Sequence, residues 1–111
     1  MSYDISLHLT VDTGGPQPHE AGFDVGNYTS NVARMWNRAL GYRLADLHDR
    51  IAGDALRDLQ RAVAAMEADP DVYRRMEPSN GWGDYEGALA CLTRLRNQCA
   101  TVPKARIYIS H

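Results

Sequence analysis

The sequence predicts an α+β fold, in which a small sheet made from the two ends of the chain is covered by about three helices. Three observations carry that reading. Apolar and polar residues alternate strictly over residues 3–11, with Ile5, Leu7, Leu9 and Val11 on one face and Asp4, Ser6, His8 and Thr10 on the other. The same period of two returns near the C-terminus, where Ala105, Ile107 and Ile109 alternate with Lys104, Arg106, Tyr108 and Ser110. Between these segments the apolar residues step by three and four, the period of a helix with one buried face.

The first alternating segment is a strand with one wet face, which leaves His8 exposed or facing a ligand. Residues 12–22 hold Gly14, Gly15, Pro16, Pro18 and Gly22 and read as a loop. Asp12, His19, Glu20 and Asp24 match no metal-ligand spacing. Phe23, Asp24 and Val25 form a short extended piece that ends at Gly26, a possible third strand. Thr29, Ser30 and Asn31 then offer three successive helix caps. The helix they start carries Val32, Met35, Trp36, Ala39 and Leu40, with Trp36 as its core anchor and Gly41 as its stop.

A longer helix is expected over residues 51–68, buried through Leu56, Leu59, Val63 and Met66 and supported by Ala52, Ala55 and Ala62. Pro70 opens a short helical turn over 71–76. The last helix runs from Asp84 to about residue 100, where Tyr85, Ala88, Leu92, Leu95 and Cys99 form the apolar stripe. Pro103 separates it from the terminal strand. Two strands alone make a poor sheet, so either residues 23–25 add a third or a second copy extends the edge; a homo-oligomer is the expectation.

At 111 residues the chain is expected to form one domain, 1–111, around one modest core. Its formal net charge of −2, from 12 basic and 14 acidic residues, argues against general nucleic-acid binding through a basic surface. No apolar run approaches the ~20 residues of a membrane helix, and residues 1–4 lack the character of a signal peptide. The expected location is therefore the cytoplasm. Cys91 and Cys99 fall on one helix about 12 Å apart, too far for a disulfide, and read as reduced core residues.

Two stretches stand out from this scaffold. Glu77-Pro78-Ser79-Asn80-Gly81-Trp82-Gly83-Asp84 brackets a tryptophan with glycines at the start of a helix, and Asn27-Tyr28-Thr29-Ser30-Asn31 has the same polar, cap-forming character. Helix starts present unpaired N–H groups, which suit anionic or carbonyl-bearing ligands, and aromatic rings offer stacking surfaces. In the ligand reading, Asn27, Thr29, Asn31 and Asn80 supply hydrogen bonds, Trp82 or Tyr28 a stacking face, and Arg34 or Arg74 a charge for phosphate. Capping alone accounts for the same composition, with Trp82 then plugging the core. No hydrolase, zinc-protease, P-loop or dinucleotide fingerprint occurs, no cofactor is called for, and His8 is the one acid/base candidate.

The pattern Asn27-x-Thr29-x-Asn31, then Met35, then Pro78-x-Asn80-Gly81-Trp82-Gly83-x-Tyr85, with Cys99 and Pro103 before a final strand, resembles a group of small, largely uncharacterised bacteriophage proteins. The likeness spans most of residues 27–109. The segment 41–47 and the small Ser30 depart from that group's pattern. The resemblance implies a phage accessory protein acting in the host cytoplasm. The expectation is a protein that binds a small polar, nucleotide-like ligand, with sequestration of a host defence signal as its use. The alternative is an interaction module for a host protein, in which the Asn-Gly-Trp-Gly loop is purely structural.

Overall fold

Strand β1 (Ser2–Val11) lies between β2 (His19–Thr29) and β3 (Arg106–Ser110) in a three-stranded antiparallel sheet, in a computed structural model that describes all 111 residues. The predicted pairing of the chain ends is present, running from Asp4 opposite Ser110 to His8 opposite Arg106. Tyr3, Ile5, Leu7, Val25, Ile107 and Ile109 point inward and are buried, while Asp4, Arg106 and Tyr108 stay wet. The period of two thus places the sheet face as expected through Leu7, whereas Leu9 is only partly buried and Val11, beyond the end of β3, is exposed.

Helix α1 (Ala33–Leu40) follows a 3-10 turn at Ser30–Val32 and ends at Gly41, whose φ of 85° is the left-handed stop. Helices α2 (Ala52–Ala68) and α4 (Tyr85–Thr101) make the largest helix pair, with the short α3 (Pro70–Arg74) between them in sequence. All 27 buried residues form one apolar cluster, and none of them is charged. Trp36 is fully buried and its indole N–H donates to the Ala88 carbonyl at 2.9 Å, joining α1 to α4. Its ring packs edge-on against Tyr3, which ties the helices to the sheet.

Two expectations about the second strand are corrected. Residues 19–22 are not loop, and the extended piece is not confined to 23–25; β2 has 11 residues and runs through Gly26 to Thr29. Turn formers are tolerated here because β1 runs alongside from Val11 opposite His19 to Ser2 opposite Thr29, with one break in register. The irregularity that the glycines announce is a bulge: register slips between Ile5 and Ser6, leaving Val25 unmatched beside Gly26, whose φ is 145°. The Arg94 Nε–H donates to the Val25 carbonyl at 3.3 Å and stabilises the bulge from α4.

β3 ends at the His8 level, so the hairpin beyond it projects and the molecule measures 53 × 26 × 19 Å. The outer edge of β3 is closed by the segment before α2, through Ile107 N–H to Arg50 O and Asp49 N–H to Ile107 O, both 2.8 Å. The sheet therefore meets the three-strand minimum without a partner, and the two-strand argument for a homo-oligomer falls. The outer edge of β2 carries no strand.

Candidate functional site

Residues 27–31 and 77–87 meet at one end of the sheet. Asn27 and Tyr28 lie within the last three residues of β2 rather than in a helix-start loop, because strand pairing continues as far as Thr29. Thr29 is the true cap: its Oγ1 accepts from the Asn31 N–H at 3.3 Å.

The opposing loop is built from successive side-chain and glycine devices. Asn80 Oδ1 accepts from the Trp82 N–H at 2.9 Å, a local turn that sets the indole's direction. Glu77 Oε2 accepts from the Tyr85 N–H at 2.8 Å, and Asp84 Oδ1 accepts from the Gly87 N–H at 2.7 Å, so two free N–H groups at the start of α4 are satisfied. Gly81 and Gly83 both have positive φ, 76° and 96°. A Cβ on Gly83 would stand 2.6 Å from Thr29 Cγ2 and 2.8 Å from Val32 Cγ1. That close approach brings the two stretches together, and only glycine permits it.

Asn27, Thr29, Asn31, Asn80 and Trp82, with Met1 and Ser2, line an open groove of about 490 Å3. A second depression of about 360 Å3, lined by Asn31, Arg34, Met76, Glu77, Pro78, Ser79 and Asn80, adjoins it across the shared Asn31 and Asn80. Trp82 is 67% exposed, so it does not plug the core. Nothing in the fold requires a large apolar ring there.

Six of the eight expected ligand residues thus come together: Asn27, Thr29, Asn31, Asn80 and Trp82 in the first depression, and Arg34 in the second. Two do not. Tyr28 lies behind the groove, where its hydroxyl accepts from the Asp84 N–H at 3.2 Å and sits against Gly87, which has no Cβ to obstruct it. It locks β2 to α4 instead of stacking on a ligand. Arg74 lines neither depression; it is paired with Glu86 at 2.8 Å and lies over the Tyr85 ring. That shared hydrogen bond raises the Arg74 pKa and lowers that of Glu86.

Among the lining residues with polar side chains, sequence reasoning missed Ser2, Glu77 and Ser79. Proximity to Pro78 and Asn80 was a usable signal for the last two, and none existed for Ser2. The amide assignments are informative at two positions. Asn27 Nδ2 must face the acceptors Ser2 Oγ and Asp4 Oδ1, leaving its carbonyl oxygen unspent. Asn80 Oδ1 must face the Trp82 N–H, leaving its NH2 unspent.

His8 lies elsewhere, on the wet sheet face. Its Nε2 is 3.0 Å from Ser6 Oγ and its Nδ1 is 3.2 Å from Glu20 Oε1, with Tyr108 edge-on beside it. The contacts follow the order nucleophile, base, acid. Neither depression includes them. No group of three or more His, Cys, Asp or Glu side chains is placed to bind a metal ion, and no helix is long and apolar enough to cross a membrane.

No protein-family model matches the chain, and no curated protein or solved structure is significantly similar to it.

Proposed function

We propose that the groove between the end of β2 and the Asn-Gly-Trp-Gly loop binds a small polar, nucleotide-like ligand, and that the protein is a phage-type accessory protein of the host cytoplasm. The observation that carries this reading is the exposed Trp82 beside four polar side chains with unspent hydrogen-bonding capacity. An indole held outward by a local turn, with amides around it, is the arrangement that accepts a planar polar ring. Arg34 in the adjoining depression supplies the charge for a phosphate. Sequestration of a host defence signal is the proposed use, and it rests on the resemblance of the Asn-x-Thr-x-Asn and Asn-Gly-Trp-Gly segments to phage proteins.

The proposal includes self-association. The open outer edge of β2 is a site where a second copy would pair antiparallel and join two three-stranded sheets. The alternative, a module for a host protein with a purely structural loop, draws less support: such a loop would bury Trp82 and spend the Asn80 amide.

The test is an Asn80→Ala/Trp82→Ala protein, shown to be folded by circular dichroism and titrated calorimetrically with a panel of nucleotides. Binding by wild type and at least a tenfold loss in the double variant is the expected result. Equal binding by both proteins would sink the assignment.

A further inference from the structure

We infer that Asn80 is a site of spontaneous covalent modification, at which the Gly81 backbone nitrogen attacks the Asn80 side-chain amide and turns the residue into aspartate and isoaspartate. This chemistry needs no ligand in the groove. It is an intramolecular displacement: a bond forms between the Gly81 nitrogen and Asn80 Cγ, the Cγ–Nδ2 bond breaks, and the Gly81 amide proton leaves, by way of solvent, with ammonia. The product is a cyclic imide. Water then opens it at Cγ to give aspartate, or at the Asn80 main-chain carbonyl to give isoaspartate, and is the only co-reactant.

Asn80-Gly81 is the one Asn-Gly pair in the chain, and both residues are exposed. Any other residue after an asparagine sets a Cβ beside the attacking nitrogen. Gly81 has none, and the space where one would stand is empty to 4 Å. The bond from the Trp82 N–H to Asn80 Oδ1, 2.9 Å, folds the side chain back over the peptide that contains the Gly81 nitrogen, which holds nucleophile and carbonyl close. The same N–H faces the oxygen on which negative charge develops as the nitrogen adds. The Gly81 N–H is itself engaged only at 3.4 Å, by the Pro78 carbonyl, and the leaving Asn80 NH2 donates to no protein group.

The other asparagines lack this arrangement. Asn27, Asn31, Asn37 and Asn97 precede Tyr28, Val32, Arg38 and Gln98, which all carry a Cβ. Asn37 and Asn97 also lie inside α1 and α4, where helical hydrogen bonding keeps the backbone from turning toward the side chain. The Asn27 amide is tied to Ser2 and Asp4.

Modification remakes the groove. A carboxylate replaces the amide, which removes the Asn80 donor and adds a negative charge beside Trp82. In isoaspartate the main chain runs through the side-chain carbons and gains a methylene, which displaces Trp82 and the close approach of Gly83 to Thr29.

The experiment incubates freshly purified full-length protein for days at pH 8 and follows each asparagine by peptide mass mapping, with an isoaspartate-specific methyltransferase as second readout. Asn80 is expected to convert about tenfold faster than any other asparagine, and faster still as pH rises, because the deprotonated Gly81 nitrogen is the nucleophile. Gly81→Ala, shown to be folded by circular dichroism, should slow the conversion about tenfold. Wild type unfolded in urea gives the rate without the Trp82 N–H contact, and the folded chain should match or exceed it. Asn80 converting about tenfold more slowly in the folded than in the unfolded chain, or no faster than the other asparagines, would overturn the inference. An unchanged rate in folded Gly81→Ala would overturn Gly81 as the attacking group.

Discussion

Replacing Gly83 by alanine tests the contact that joins the two halves of the groove. The left-handed φ of 96° costs an alanine roughly 1–2 kcal/mol. The new methyl would also stand 2.6 Å from Thr29 Cγ2 and 2.8 Å from Val32 Cγ1. Val32 is fully buried and cannot simply swing aside, so overpacking adds about 1–3 kcal/mol. Gly81 provides the control: its φ is 76°, but a Cβ there meets nothing within 4 Å. Gly81→Ala therefore carries the backbone term alone. With an unfolding entropy near 2.1 cal/mol/K per residue, Gly83→Ala should melt about 10–20 °C below wild type and Gly81→Ala about 4–8 °C below. Scanning calorimetry of the three proteins side by side is the assay. Gly83→Ala melting at or above Gly81→Ala would refute the claim that Gly83 is required for this contact.

Three further outcomes are expected. Trp82→Ala should change stability by no more than about 0.5 kcal/mol, while Trp36→Ala should lose about 3–5 kcal/mol, measured by urea unfolding. Burial pushes the Cys99 thiol up to about 11 and raises Cys91 as well, so neither should react with a thiol reagent at pH 8 until the protein unfolds; prompt reaction of either would contradict the packing. Asp58 accepts hydrogen bonds from Tyr42 (2.8 Å) and Arg50 (3.4 Å), and the Tyr42 bond foremost holds its carboxyl below the usual range. A depressed folded value stabilises the protein above the ordinary carboxylate pKa and is lost as pH falls through the folded value. Asp58→Asn should therefore be less stable than wild type near neutrality and converge with it in acid, as read from melting temperature against pH.

Much of this molecule is legible in its sequence because the relevant signals are local. Alternation around Leu7 and Ile107 places both end strands, and Gly41 and Asp84 mark helix ends by their own backbone chemistry. The groove residues Asn27, Thr29, Asn31, Asn80 and Trp82 stand out because capping and turn geometry are written within a few residues. What was missed is non-local. His19–Gly22 reads as loop by composition, and only pairing with Val11, Thr10, Leu9 and His8 makes it strand. Tyr28 looks like a ligand platform until Asp84 and Gly87, more than 50 residues on, claim its hydroxyl. Arg74 looks free until Glu86 is seen beside it. The meaning of Gly83 lies in its contact with Thr29, which no spacing rule reports.

Native mass spectrometry of the protein purified gently from producing cells, beside its Asn80→Ala/Trp82→Ala variant, tests the central claim most directly. It reports copy number and any retained small molecule together. The account predicts an adduct of nucleotide mass on wild type that is absent from the folded variant. An adduct retained equally by both proteins, or a wild type that stays free of ligand even when supplied with millimolar nucleotide, would contradict it.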